Sequence, residues 1–208
     1  SSLSTYKKCP KLWHDQYVLG NRTSPGPSAA RGTELHARLE EFFLGSAYPS
    51  AVKALAPWQR FMEGLTVHNP KPERKYARDA SWGECDFDDP ECYVRGAGDL
   101  TYEAAGILHI LDWKSGKVYP DHEGQGKMYM AMEDEYLRYR TEFVYLDIPT
   151  HTIPRDYTAS DRVIEVAKLI NVVEIVNADE EYKPTPSVNS CQWCNLSWRR
   201  GGTCRSAP

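Results

Sequence analysis

No stretch of this chain approaches the roughly 20 consecutive apolar residues that a membrane-spanning helix needs, although hydrophobic residues fill 41% of its 208 positions. A soluble, globular protein without membrane association is expected. The segment from Ser1 to Gly20 carries Lys7, Lys8, Lys11 and Asp15, so it lacks the apolar centre of a secretory signal, and a cytoplasmic setting in a bacterium, an archaeon or a virus-infected cell is expected. An excess of positive charge is also missing. The formal net charge of -4 excludes a protein sheathed in basic residues, while leaving room for a local basic track for phosphates. Lys7, Lys8, Lys11, Arg74, Lys75, Arg78, Arg199, Arg200 and Arg205 are its candidates. Internal repeats and low-complexity tracts are absent, which removes solenoids. The length leaves little room for a second full domain, so one domain over residues 1–208 is expected.

What is present reads as an α/β chain. Tyr6, Cys9, Trp13 and Tyr17, spaced by three and four, predict a short helix over residues 3–19 with a cysteine on its apolar face. Asn21 to Ala29 reads as a loop. Ser28 is a candidate cap for a helix over residues 30–44, striped by Leu35, Leu39, Phe42 and Phe43. A second helix is expected over 49–63. Strands are expected over 74–80, 93–102, 107–113 and 142–148, with Ala105-Gly106 as the turn joining the middle pair. Helical spacing covers 124–138 and 160–177. A small central mixed sheet flanked by helices follows.

The most informative residues lie on the middle strands. If they pair as a hairpin, Asp99 and Asp112 converge at one end of the sheet, and two carboxylates bind a hard cation such as Mg²⁺ or Mn²⁺. Strand alternation puts Asp112 and Lys114 on one face, so the ammonium points to where a metal-bound water would lie. That set suits phosphodiester hydrolysis, with the lysine orienting the nucleophile or taking its proton.

Five motifs occur in order: Tyr6-Lys7-Lys8-Cys9-Pro10, Arg31-Gly32-Thr33-Glu34-Leu35-His36, Gly96-Ala97-Gly98-Asp99, Asp112-Trp113-Lys114 and Gln125-Gly126-Lys127-Met128-Tyr129. In this the chain resembles the PD-(D/E)xK nuclease superfamily, in particular its RecB-like branch with an iron–sulfur cluster, and is similar to the CRISPR-associated RecB-like exonuclease and the AddB nuclease domain. The resemblance implies a restriction-endonuclease-like core over residues 30–150. It implies His36, Asp99, Asp112 and the Trp113 backbone carbonyl as metal ligands, Lys114 as the catalytic lysine, and Gln125 and Tyr129 on one helix face at the metal site or the DNA. Glu73 sits where related nucleases often carry a supporting acid.

Cys191-Gln192-Trp193-Cys194 is a C-x-x-C pair, with Cys204 ten residues further on. Two thiolates at that spacing chelate one metal, and further ligands must come from elsewhere, Cys9 being the natural candidate. The resemblance implies a [4Fe-4S] cluster on Cys9, Cys191, Cys194 and Cys204, joining segments 1–20 and 185–208. The gap before Cys204 is longer than the family's usual spacer. Four thiolates suit Zn²⁺ equally well, and disulfides are disfavoured inside cells. Cys85 and Cys92, in an acidic loop, are expected to be free thiols.

The expected function is a metal-dependent DNA nuclease, an exonuclease acting on single strands or DNA ends. The alternative is a noncatalytic, cluster-stabilised DNA-binding or assembly subunit. Homo-oligomers, recombination, repair and CRISPR-adaptation partners, cleavage polarity and RNA as a substrate stay open.

Overall fold

A computed structural model describes residues 2–22, 26–119, 122–206 and 208. The chain divides into two compact units, Gly26–Leu169 and a terminal unit made of Ser1–Pro25 with Ile170–Pro208. No helix among the described residues is long and apolar enough to cross a membrane.

The central unit is built on a five-stranded mixed sheet in the order β1-β2-β3-β4-β5. Its strands are β1 (Lys71–Arg78), β2 (Val94–Ala104), β3 (Ile107–Lys114), β4 (Arg138–Tyr145) and β5 (Thr152–Thr158). β1, β2 and β3 form an antiparallel meander, β4 lies parallel to β3, and β5 returns antiparallel. A parallel neighbour needs a crossover, and α5 (His122–Met132) supplies it. The β2–β3 turn falls where the sequence placed it, with Ala105 and Gly106 both at positive φ, 52° and 71°.

β3 is buried on both faces. Leu111 and Trp113 join Leu100, Val144 and Leu146 against α3 (Pro27–Phe43), through Leu35 and Leu39, against α4 (Gln59–Leu65), through Met62 and Leu65, and against Leu55 and Trp58 just before α4. Each such side chain contributes about 1.5–3 kcal/mol by leaving water, so this layer fixes α3 on the sheet. On the other face a methyl group at Gly96 would strike Met132 and touch Tyr129 of α5. Gly96 and Leu100 should share a face by strand alternation, yet they meet opposite layers. The slip centres on Asp99: the β1–β2 ladder pairs Pro72 with Leu100 and Arg74 with Gly98, omitting Glu73 opposite Asp99. Glu73 lies at φ 48°, a left-handed conformation costing about 1–2 kcal/mol outside glycine.

Several boundaries differ from expectation. The 3–19 helix is interrupted: α1 covers Ser2–Lys8, Cys9 is extended, and α2 (Pro10–Trp13) runs into a π-turn at His14–Val18. Pro10 has no N–H to continue α1. α3 begins at Pro27 with Gly26 at its N-cap and no side-chain cap, so Ser28 is not the cap. The 49–63 stretch contains turns and the 3-10 helix Ala56–Trp58 before α4. α5 stops at Met132 rather than 138, because Tyr139, Thr141 and Phe143 alternate inward on a strand that starts earlier than expected. β5 was not expected; it carries Pro154 and lies at the sheet edge, where a missing N–H does no harm.

The terminal unit contains α1, α2, the C-terminal part of α6 (Ala159–Ala178) and α7 (Val188–Cys191). Tyr6 donates to Asp179 at 2.6 Å, and Thr185 donates to the Lys8 carbonyl at 2.8 Å. Trp13 stacks on Tyr182 with centroids 6.0 Å apart, and His14 on the same ring at 4.2 Å. These contacts join the first twenty residues to the last forty.

Candidate active site

Antiparallel pairing of β2 with β3 ends at Leu100 opposite Leu111, so Asp99 and Asp112 sit just beyond the last rung. Asp99 is held from two sides: its Oδ2 accepts the Trp113 N–H at 2.6 Å, and its Oδ1 lies 3.0 Å from His36 Nδ1. α3 delivers that imidazole from the helix flank next to buried Leu35. Ligand atoms of His36, Glu73 and Asp99 all lie within 4.8 Å of one another, a nitrogen and oxygen donor set of the kind a divalent metal takes. The displaced backbone at Glu73 is what turns its carboxylate into this group.

Asp112 is almost fully buried. Burial first, and then the Asp99 charge, push its carboxyl up to about 7, against the pull of Lys114 and His36. Lys114 Nζ approaches Asp112 Oδ1 to 2.5 Å. That oxygen nonetheless lacks a properly directed hydrogen bond, and Lys114 donates instead to Gln125 Oε1 at 2.7 Å. Gln125 Nε2 in turn donates to the Tyr129 hydroxyl at 2.5 Å. A chain of contacts thus runs from α5 through the lysine to the buried carboxylate. Burial lowers the His36 pKa, but the hydrogen bond to Asp99 and the charges of Asp99 and Asp112 outweigh it, and the net shift is upward. Glu73 is raised by burial and by its acidic neighbours. Mutually repelling acids around one point are the electrostatic pattern that a cation relieves.

The structure groups His36 and Asp99 with Glu73, and links Asp112 through Lys114 and Gln125 to Tyr129; Asp112 is not within the tight ligand group of the first three. Trp113 contributes its N–H to Asp99, while its ring lies in the core, stacked on Phe43. Glu73 belongs to the group more firmly than its sequence context suggested, since a left-handed residue inside a strand leaves no mark in residue type. Two members of the candidate basic track are used internally. Arg78 is buried and donates to the Met132 carbonyl, and Arg74 faces Glu133 and Asp134.

In the terminal unit, burial raises the Cys194 thiol, with smaller contributions from Cys9 and Cys191. The ten-residue gap to Cys204 closes. Cys204 N–H donates to the Leu196 carbonyl at 2.7 Å, and Trp198 N–H donates to the Cys204 carbonyl at 3.1 Å. Gly201 at φ 83° makes the turn, and a side chain at Gly202 would collide with the Leu196 backbone. Cys85 and Cys92 are free thiols in mutual contact; burial, Cys92 and nearby Asp79 and Asp89 push Cys85 up to about 11.

A family model for the PD-(D/E)XK nuclease superfamily matches residues 1–199. The chain belongs to that superfamily. As a PD-(D/E)XK protein it is a metal-dependent nuclease, and its mixed sheet flanked by helices is the restriction-endonuclease-like arrangement. Among solved structures it is similar to SSO0001, with TM-score 0.56 and 14% identity, covering 99% of this chain and 85% of that one. It is also similar to a protein described as "Putative exonuclease" from Eubacterium rectale, with TM-score 0.55 and 12% identity, covering 95% of this chain and 86% of that one. At such identities the likeness concerns the fold. No curated protein matches the sequence.

Proposed function

We propose that this PD-(D/E)XK protein is a Mg²⁺- or Mn²⁺-dependent deoxyribonuclease of the RecB-like branch, a single-domain exonuclease acting on single-stranded DNA or DNA ends. The observation that carries this reading is Lys114, held by Gln125 against Asp112 beside the His36, Glu73 and Asp99 group. A noncatalytic scaffold has no need of a lysine ammonium positioned from two sides at a buried carboxylate.

His36, Asp99 and Asp112, with the Trp113 carbonyl, would hold the metal, and Glu73 adds a further carboxylate to that set. A divalent ion bound there supplies Lewis acidity, lowering the pKa of water and neutralising phosphate charge. Lys114 orients the attacking water and receives help from Gln125, which fixes the direction of its N–H bonds. One phosphorus–oxygen bond forms to that water as another breaks to the leaving sugar oxygen. Tyr129, whose hydroxyl is pushed well above its ordinary pKa by burial and by Asp112, stays a neutral hydrogen-bonding partner that anchors Gln125.

We further infer a [4Fe-4S] cluster on Cys9, Cys191, Cys194 and Cys204. Support comes from the electrostatic influence of Cys9 and Cys191 on the Cys194 thiol and from the fold-back that returns Cys204 to residues 196–198. Thiolates are the ligands such a cluster takes, and its part here is to clamp the terminal segments. Cytoplasmic reducing conditions fit cysteines kept as thiols.

The test compares linear with circular single-stranded DNA, incubated with anaerobically purified protein and Mn²⁺ or EDTA. Mn²⁺-dependent loss of the linear form alone is expected. Equal cutting of circles would replace the exonuclease by an endonuclease, and no cutting with Mn²⁺ would remove the enzyme reading.

A further inference from the structure

The Arg31-Gly32 pair that opens the α3 motif meets the loop that leaves β3. Arg31 Nη1 donates to Asp147 Oδ2 at 2.9 Å, and its Nη2 pairs with the other oxygen of the same carboxylate. Asp147 Oδ2 also accepts the Gly116 N–H at 2.7 Å. Gly116, at φ 97°, lies two residues beyond Lys114. The preceding residue of the β4–β5 turn, Leu146, donates its N–H to the Lys114 carbonyl at 2.9 Å. Gly32 completes the contact, because a Cβ there would come within 2.9 Å of Ser115 Oγ. Three segments distant in sequence therefore meet at one carboxylate: the start of the helix that carries His36, the loop that follows Lys114, and the turn after β4.

We propose that Asp147, with Arg31, is a positioning residue for the nuclease site, setting the α3 helix that carries His36 in register with the end of β3 that carries Lys114. The proposal rests on the reading of His36 and Lys114 as working residues given above. His36 lies five residues after Arg31 on one continuous helix, about 7.5 Å along its axis, so a slip at Arg31 is transmitted to the imidazole. The bidentate fork of an arginine on a carboxylate fixes direction as well as distance, which lysine cannot do. The Arg31 hydrogen bond holds the Asp147 carboxyl below its ordinary range, so it is ionised throughout the neutral region. The pair is also substantially exposed, with side chains 47% and 29% accessible. A surface ion pair adds little to stability, and its removal separates positioning from folding.

The test measures Mn²⁺ binding by titration calorimetry, single-turnover DNA cleavage and thermal unfolding in wild type, Arg31→Gln, Arg31→Lys, Asp147→Ala and the Arg31→Gln/Asp147→Ala double variant. Residues that support metal ligands indirectly change metal affinity or activity by roughly 10–100-fold when lost. Melting temperatures close to wild type are expected, with Mn²⁺ affinity and cleavage rate reduced about tenfold, part of the loss restored in Arg31→Lys, and the double variant no worse than Asp147→Ala. Wild-type Mn²⁺ affinity and rate in both single-loss variants would overturn the positioning role while leaving the nuclease reading intact. Losses that track a collapsed melting temperature, or that add in the double variant, would also overturn it. A wild-type protein that binds no Mn²⁺ would remove the nuclease reading, and this one with it.

Discussion

The candidate metal group of the central unit and the cysteines of the terminal unit are supported in opposite ways. His36 stands on a 17-residue helix, and Glu73, Asp99, Asp112 and Lys114 on strands of one sheet. Cys9 caps a helix of only four residues, Cys191 ends another of four, and Cys194 and Cys204 lie in turns. Sheet and long helix are stable through the apolar layer of Leu39, Leu111 and their neighbours, with no ligand needed to form them. Helices of one turn are not stable by themselves. The comparison teaches that the first site stands on long elements of the sheet and its covering helix, whereas the cysteines stand on one-turn helices and turns, tied by side-chain contacts such as Tyr6 with Asp179.

The sharpest way to break this contrast is at the lysine. Lys114→Ala should lower cleavage by roughly 10²–10⁴-fold, the range of a lost proton-transferring or orienting group, while leaving the visible absorbance of the proposed cysteine-bound cluster unchanged. Steady-state cleavage and the absorption spectrum check both parts.

Cys191→Ala acts on the other side of the contrast. It should remove the cluster absorbance and open residues 1–25 and 170–208 to limited proteolysis, while residues 26–169 stay resistant. Loss of resistance throughout would show the two units to be equally dependent on the cysteines.

A smaller effect concerns pH. The Asp112 carboxyl, at about 7 in the folded protein against 3.8 ordinarily, binds a proton more tightly when folded. Stability of the metal-free protein must then fall as pH rises between those values. Asp112→Asn removes that slope. Its melting temperature without metal should exceed wild type at about pH 8 and match it near pH 4. The smallest effect is expected at Gly126, where an added methyl would lie 3.0 Å from Thr141 Oγ1 and 3.1 Å from Phe143 Cζ. Gly126→Ala should cost about 1–3 kcal/mol by overpacking, read from chemical denaturation.

The hairpin carrying Asp99 and Asp112 was legible because an Ala-Gly turn and two alternating runs are local signals, and the four-residue spacing of Gln125 and Tyr129 needed only helical periodicity. The helix carrying Leu35 and Leu39 was legible for the same reason. Glu73 was only weakly so, since its place depends on a positive φ opposite Asp99 that residue type does not encode. Asp147 was invisible: its partners Arg31 and Gly116 are 116 and 31 residues away, and only the fold joins them. β5, with Pro154 and three charged or polar residues facing water, offered no strand pattern. The end of α5 was misjudged because Glu133 to Arg138 are acceptable helix residues until Tyr139 is drawn into the sheet.

The most direct test of the central claim is Mn²⁺-dependent cleavage of end-labelled single-stranded DNA by wild-type and Asp112→Ala protein, prepared in parallel with equal cluster content. The account predicts cutting by the wild type that EDTA abolishes, and none by the variant. Equal cutting by both, or cutting that follows the cluster rather than Asp112, would contradict it.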